Sequence, residues 1–230
     1  MIKEFPGDTL PLATPAIFRD ILESAYRREL HNLFSKNVLA WLWAKDTSLW
    51  PAEDYQAECT ESNLGWLDLP GQLGPLLARV VSRATRIEPA GFEDVVLVIM
   101  GVSGLATESV LRLPAAKLGK RTFLLDTIDP DSLRAFHEML HFDTTLFVFP
   151  NKSGKPIEAH SLLWYFLERL KIMGIHSPAH HFITRTEENS YLGQLAGEYD
   201  FLDSFLDPPG IHGRYSSLIH FNFFSLRSVG

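Results

Sequence analysis

From residue 94 onward the chain alternates short, continuous apolar runs with helical patterns, and this alternation constrains the fold more than any other feature. Val95-Val96-Leu97-Val98-Ile99 is rich in β-branched residues and has no polar face. Such a run suits a strand buried on both sides, as inside a parallel sheet covered by helices. Similar runs recur at Thr122-Phe123-Leu124-Leu125, Leu146-Phe147-Val148-Phe149, His181-Phe182-Ile183 and residues 201–205. Helical patterns over 131–140, 157–172 and 190–198 separate them. The spacing predicts βαβ units and an α/β fold, a doubly wound, mainly parallel sheet of about five strands.

Upstream the texture is helical. Thr14-Pro15 reads as an N-cap followed by proline at the first helical position. Ile17, Ile21, Ala25 and Leu33 follow at roughly helical spacing. The pattern predicts one helix running to about residue 44, a polar break ending at Pro51, and a second short helix over 73–81. Trp41, Trp43, Trp50 and Trp66 are expected to be packing anchors of this region. The expected organisation is an N-terminal helical segment, 1–90, and a sheet lobe, 91–230. Residues 218–224 are too apolar for a free tail, so the lobe is expected to be truncated at its C-terminal end. A fragment and a half-length homologue both fit that expectation.

Composition narrows the function classes. A 46% hydrophobic and 21% charged content in 230 residues suits a globular core. A formal charge of −7 argues against a nucleic-acid partner, whose phosphates need clustered Lys and Arg. A small phosphate ester needs only a few local donors. The single cysteine, Cys59, allows no intramolecular disulfide and has acidic neighbours that disfavour a thiolate. The N-terminus lacks the apolar core of a signal peptide, and no apolar run approaches the roughly 20 residues that span a bilayer. The expectation is a soluble cytoplasmic protein with no membrane partner.

Ligands of open α/β sheets bind beyond the carboxyl ends of the strands. The first run is followed by Met100-Gly101-Val102-Ser103-Gly104, where glycines allow close backbone approach and Ser103 offers a hydroxyl near a helix start. The third is followed by Asn151-Lys152-Ser153-Gly154-Lys155-Pro156-Ile157-Glu158, a basic and polar loop before a helix. The fifth leads into Asp207-Pro208-Pro209-Gly210-Ile211-His212-Gly213-Arg214-Tyr215-Ser216, where Arg214 could stabilise negative charge on a substrate oxygen.

In this order the three loops resemble the glucose-6-phosphate isomerase family, whose two lobes each have the sugar isomerase fold. Gly101-Val102-Ser103 is similar to the family's glycine-serine loop, Asn151 to Pro156 with Glu158 to its phosphate loop, and His212-Gly213-Arg214-Tyr215-Ser216 to its arginine signature. Residues 42–50 and 64–68 resemble the isomerase part of bacterial transaldolase/glucose-6-phosphate isomerase fusions. The resemblance implies interconversion of glucose 6-phosphate and fructose 6-phosphate, a step of glycolysis and gluconeogenesis, without a cofactor or metal. It further implies that Gly101, Ser103, Asn151, Lys152, Ser153 and Pro156 hold the phosphate. Arg214 would stabilise the enediolate, and Glu158 would lie near the reacting end. The implied partners are a sugar phosphate and a second isomerase lobe or another copy of the chain. Val102 and His212 stand where the family has glycine, and Asn151, Lys155 and Pro156 replace small polar residues. Those departures leave a catalytically inactive phosphosugar-binding or interaction module as the alternative.

A rival motif is His137-Glu138-Met139-Leu140-His141, which satisfies the two-histidine zinc pattern, with Glu158 or His160 as a third ligand by spacing. Its position on the helix between the second and third strands favours a solvated or partly buried face instead.

Overall fold

The apolar runs pair as a single sheet of five strands, β1 (Asp94–Val98), β2 (Arg121–Leu125), β3 (Thr145–Pro150), β4 (Phe182–Thr186) and β5 (Asp203–Leu206). They lie in the order β2-β1-β3-β4-β5, and every pairing is parallel. These strands belong to a computed structural model that describes residues 16–46, 48, 64–101, 104, 107–108, 120–151, 156–208 and 210–211. The described helices are α1 (Ala16–Ser35), α2 (Val38–Trp43), α3 (Leu69–Ile87), α4 (Pro130–Met139), α5 (Ile157–Ile172) and α6 (Tyr191–Glu198). Among the described residues no helix is long and apolar enough to cross a membrane.

Alternation along the strands divides the core into two layers. Val96, Val98, Phe147, Phe149 and Phe182 face one way and pack with Phe136 of α4, Leu162, Leu163 and Phe166 of α5, and Leu192 of α6. Val95, Leu97, Leu146, Val148, Ile183 and Phe205 face the other way and pack with Phe92 and with Ile87 of α3. Both faces are covered, which is why β1 and β3 are buried at every position. Helix starts follow capping chemistry: the Asp129 carboxylate accepts from the Ser132 N–H at 2.8 Å, and the Ser190 hydroxyl accepts from the Gly193 N–H at 3.0 Å.

Contacts divide the chain into two compact units, Met1–Ala57 and Glu58–Gly230. The sequence boundary near residue 90 separates helical from sheet texture, whereas the contacts count α3 with the sheet. Arg83 of α3 donates to the Asp203 carboxylate and the Ser204 carbonyl, each at 2.7 Å, and its guanidinium lies 4.8 Å from the Phe205 ring centre. Packing of Ala84 and Ile87 carries this helix well past the expected 73–81. In the first unit the single long helix expected from the sequence is broken. Asn37 adopts φ 52°, a left-handed conformation that asparagine tolerates at a helix end, and α2 restarts after it. Trp41 and Trp43 are exposed, so they are not the anchors expected; Trp66 does pack, against Leu69 and Ile211. Trp50 lies outside the described residues.

The amino edge of the sheet is pinned by polar groups. Asp94 is fully buried and accepts from Arg121 at 2.7 and 2.6 Å and from the His141 N–H at 3.3 Å. The buried His181 ring donates from Nδ1 to the Thr145 carbonyl at 2.8 Å. Burial pushes its pKa below the ordinary value, against the opposing hydrogen bond. Burial and then the Arg169 guanidinium push His137 the same way. Each ring therefore holds fewer protons folded than unfolded. Their stabilisation is complete above the unfolded value of about 6.5 and is lost as pH falls through the folded values. Urea midpoints should fall between about pH 7 and 5, and His181→Gln should flatten that decline. Equal slopes in the two proteins would remove His181 as a cause.

Candidate functional site

In the observed strand order the chain leaves β1 in opposite directions, to β2 on one side and to β3 on the other. The crevice of a doubly wound sheet opens at such a switch, beyond the carboxyl ends of the two strands. Here it falls between the loop after β1 and the loop after β3. Leu97 pairs with Val148, so continuing the register sets Met100 level with Asn151. Adjacent strands lie about 4.8 Å apart, and the two candidate loops therefore start side by side.

The first loop turns at Gly101, with φ 86°. A side chain would strain this left-handed position, although nothing lies within 4 Å of where a Cβ would stand. The Gly104 N–H then donates to the Gly101 carbonyl at 3.0 Å, and a Cβ on Gly104 would come 3.4 Å from the Ile99 carbonyl oxygen. The two glycines thus keep the turn tight over the end of β1. Val102 and Ser103 lie outside the described residues.

In the second loop the Asn151 N–H donates to the Phe149 carbonyl at 3.0 Å, bending the chain as it leaves β3. The loop ends at Pro156, which stands at the N-cap of α5 with ψ 121° rather than within the first turn. The amino end of a helix of this length favours an anion, since its first N–H groups have no partner in the helix. Glu158 is half-buried in the first turn of α5. Gly101, Asn151, Pro156 and Glu158 are thus gathered at the carboxyl ends of β1 and β3. Ser103, Lys152, Ser153 and Arg214 lie outside the described residues.

The zinc-like motif is split by the fold. α4 ends at Met139, so His141 is not on the helix. His137 Nε2 accepts from Arg169 at 3.0 Å, while His141 Nδ1 accepts from Arg121 at 3.1 Å. Two imidazole nitrogens occupied by different arginines do not form a ligand pair. His160 packs edge-on against Tyr191, with ring centres 5.0 Å apart. Among the described residues no group of three or more His, Cys, Asp or Glu could hold a metal ion.

No family model matches the sequence. Curated relatives do. The chain is 32% identical over 136 residues to glucose-6-phosphate isomerase of Treponema pallidum, covering 56% of this chain and 24% of that protein. It is 35% identical over 117 residues to glucose-6-phosphate isomerase of Prochlorococcus marinus, covering 50% and 21%. A crystal structure of a glucose-6-phosphate isomerase from Chlamydia trachomatis superposes with a TM-score of 0.59 at 19% identity, over 81% of this chain and 34% of that one. The chain is thus similar to part of one lobe of glucose-6-phosphate isomerases. It spans about a quarter of the length of the curated relatives it matches. A hypothetical protein of Thermus thermophilus shares the fold at TM-score 0.67 and 25% identity, over 85% of this chain and 45% of its own.

The sheet lobe also holds a feature that sequence reasoning missed. Arg185, near the carboxyl end of β4, is buried and donates from Nε to the Asp207 carboxylate, itself buried. The apolar run that signals β4 stops at Ile183, whereas the strand continues through Thr184, Arg185 and Thr186, all buried. The available signal was a strand-end arginine followed, after the next strand, by Asp207-Pro208-Pro209.

Proposed function

We propose that this chain supplies a sugar-phosphate-binding lobe for the interconversion of glucose 6-phosphate and fructose 6-phosphate. The observation that carries the reading is the meeting of the Gly101 and Asn151 loops at the β1/β3 switch, with the amino end of α5 behind the second loop. In this reading the phosphate sits between the loops, held by Ser103, Asn151, Lys152 and Ser153. Gly101 keeps the backbone low, and Pro156 sets the entry to α5. Glu158 lies toward the reacting end of the sugar. Arg214 faces the C1–C2 oxygens, where the negative charge of an enediolate would develop as a proton moves between the two carbons. A second lobe or another copy of the chain supplies the remaining acid–base groups.

Calorimetry on the 230-residue chain tests the reading. Fructose 6-phosphate should bind, and fructose should not at the same concentration. Lys152→Ala should weaken fructose 6-phosphate by about 10- to 100-fold, the loss of one hydrogen bond to a charged group. No heat with any sugar phosphate would sink the reading. Binding without turnover in a coupled assay would identify the chain as a binding module, and turnover would identify it as an isomerase.

A further inference from the structure

The far end of α5 carries an arginine without an acid. The helix runs back along the sheet toward the amino edge, and Arg169 stands in its last turn. It lies about 18 Å along the helix from Ile157, at 1.5 Å per residue. Its guanidinium is half-buried, and among the described residues its one hydrogen bond runs from a terminal N–H to His137 Nε2 at 3.0 Å. Arg169 Nε is closed off from solvent and has no acceptor. The adjacent Glu168 is taken by Lys171 at 2.7 Å, and Glu138, next to His137, is exposed. A guanidinium keeps its proton, so this one holds an unmatched charge. The carboxyl end of α5 favours a cation there, yet none of its carbonyls accepts from Nε.

His137 also orders a second donor. Arginine can only donate, so His137 Nε2 accepts and Nδ1 carries the ring proton. That proton is directed at Tyr165 Oη, 3.4 Å away, which leaves the phenol O–H free to donate elsewhere. Tyr165 and Arg169 are four apart on α5 and so share one face. The imidazole packs on Phe142 with ring centres 4.5 Å apart, and burial and the neighbouring guanidinium favour its neutral form.

We propose that Arg169 and Tyr165 form an anion site for a small carboxylate, with His137 as the residue that positions both donors. One carboxylate oxygen takes the guanidinium and the other takes the phenol hydroxyl. The ligand supplies the acceptor that the guanidinium lacks, in a two-point match to its two planar oxygens. The site stands at the opposite end of α5 from the candidate phosphate loop, so a carboxylate and a sugar phosphate would bind separately.

The test is a nitrogen-resolved NMR titration of the full chain with acetate, at about pH 7.5, where His137 is neutral. Chloride at equal ionic strength is the control. The Arg169 Nε–H and the His137 ring signals should move saturably with acetate and stay in place with chloride. The amides of Gly101 and Asn151, at the candidate phosphate loops, should not move. Arg169→Gln and Tyr165→Phe, followed at His137, should each weaken acetate about tenfold, the loss of one hydrogen bond to a charged group. Tyr165→Phe keeps the ring that meets Phe166 edge-on at 5.1 Å, so its weakened binding would not reflect a lost fold, and an unchanged amide spectrum would check this. No saturable shift at Arg169 and His137, or the same shift with chloride, would overturn the proposal. So would undiminished acetate binding by both variants. Shifts confined to Gly101 and Asn151 would also overturn it, by placing the anion at the other end of the lobe.

Discussion

Phe147→Ala should lower the free energy of unfolding by about 3–5 kcal/mol, the usual cost of truncating a fully buried phenylalanine. Phe147 lies in the central strand β3 with no exposed surface, and its ring stacks on Phe166 of α5 at 4.3 Å and on Phe182 of β4 at 5.4 Å. The ring therefore joins the middle of the sheet to the helix that follows the candidate phosphate loop. Alanine would leave a void between strands held by backbone ladders, which limits how far the site can collapse. Phe147→Leu should cost clearly less, since it keeps most of the apolar volume. Urea unfolding with the slope checked against wild type would measure both. A loss below about 1 kcal/mol for alanine would mean that this layer repacks freely.

Asp207→Ala should destabilise by a similar amount, about 3–5 kcal/mol, because it removes the carboxylate facing a buried guanidinium. Burial pulls the Arg185 pKa below its ordinary value, and Asp207 opposes that pull. Arginine nevertheless keeps its proton in proteins, so the variant would confine a positive charge without its acid partner. The double variant Arg185→Met with Asp207→Leu should recover most of the loss, since an apolar pair of similar volume bears no desolvation cost. The two substitutions would then be strongly non-additive, as expected for residues in direct contact. Equal destabilisation of the single and double variants would show that the pair's geometry, rather than its charge balance, sets the stability.

What the sequence disclosed follows from which forces are local. α5 runs over 157–172 as its pattern predicts, because its apolar stripe and its proline boundary are both written in adjacent residues. The parallel sheet was legible because burial on both faces leaves no polar alternation in β1 or β3. The apolar pattern marks only the start of β4 because the last three residues are polar, and only tertiary structure reveals that Arg185 has a buried acid to meet. The apolar pattern starts β5 two residues early because Phe201 and Leu202 are apolar. Phe201 packs into the core before the strand begins, with its N–H on the Ala196 carbonyl at the end of α6. The break at Asn37 depends on a single residue turning left-handed, a choice that the surrounding helical pattern conceals. Within the candidate site, the loops at β1 and β3 carry compositional signals. The Arg185–Asp207 pair joins residues 22 apart, and its mark in the sequence is a strand-end arginine and an aspartate after the next strand.

The strand order has a consequence for how the chain can assemble during synthesis. β1 and β2 emerge first and pair; β3 then joins the free side of β1, β4 joins β3, and β5 joins β4. Each new strand docks on an edge that already exists, and none must be threaded between two paired strands. The sheet can grow outward in the order of translation, and every intermediate exposes one growing edge that the next segment of the same chain will cover.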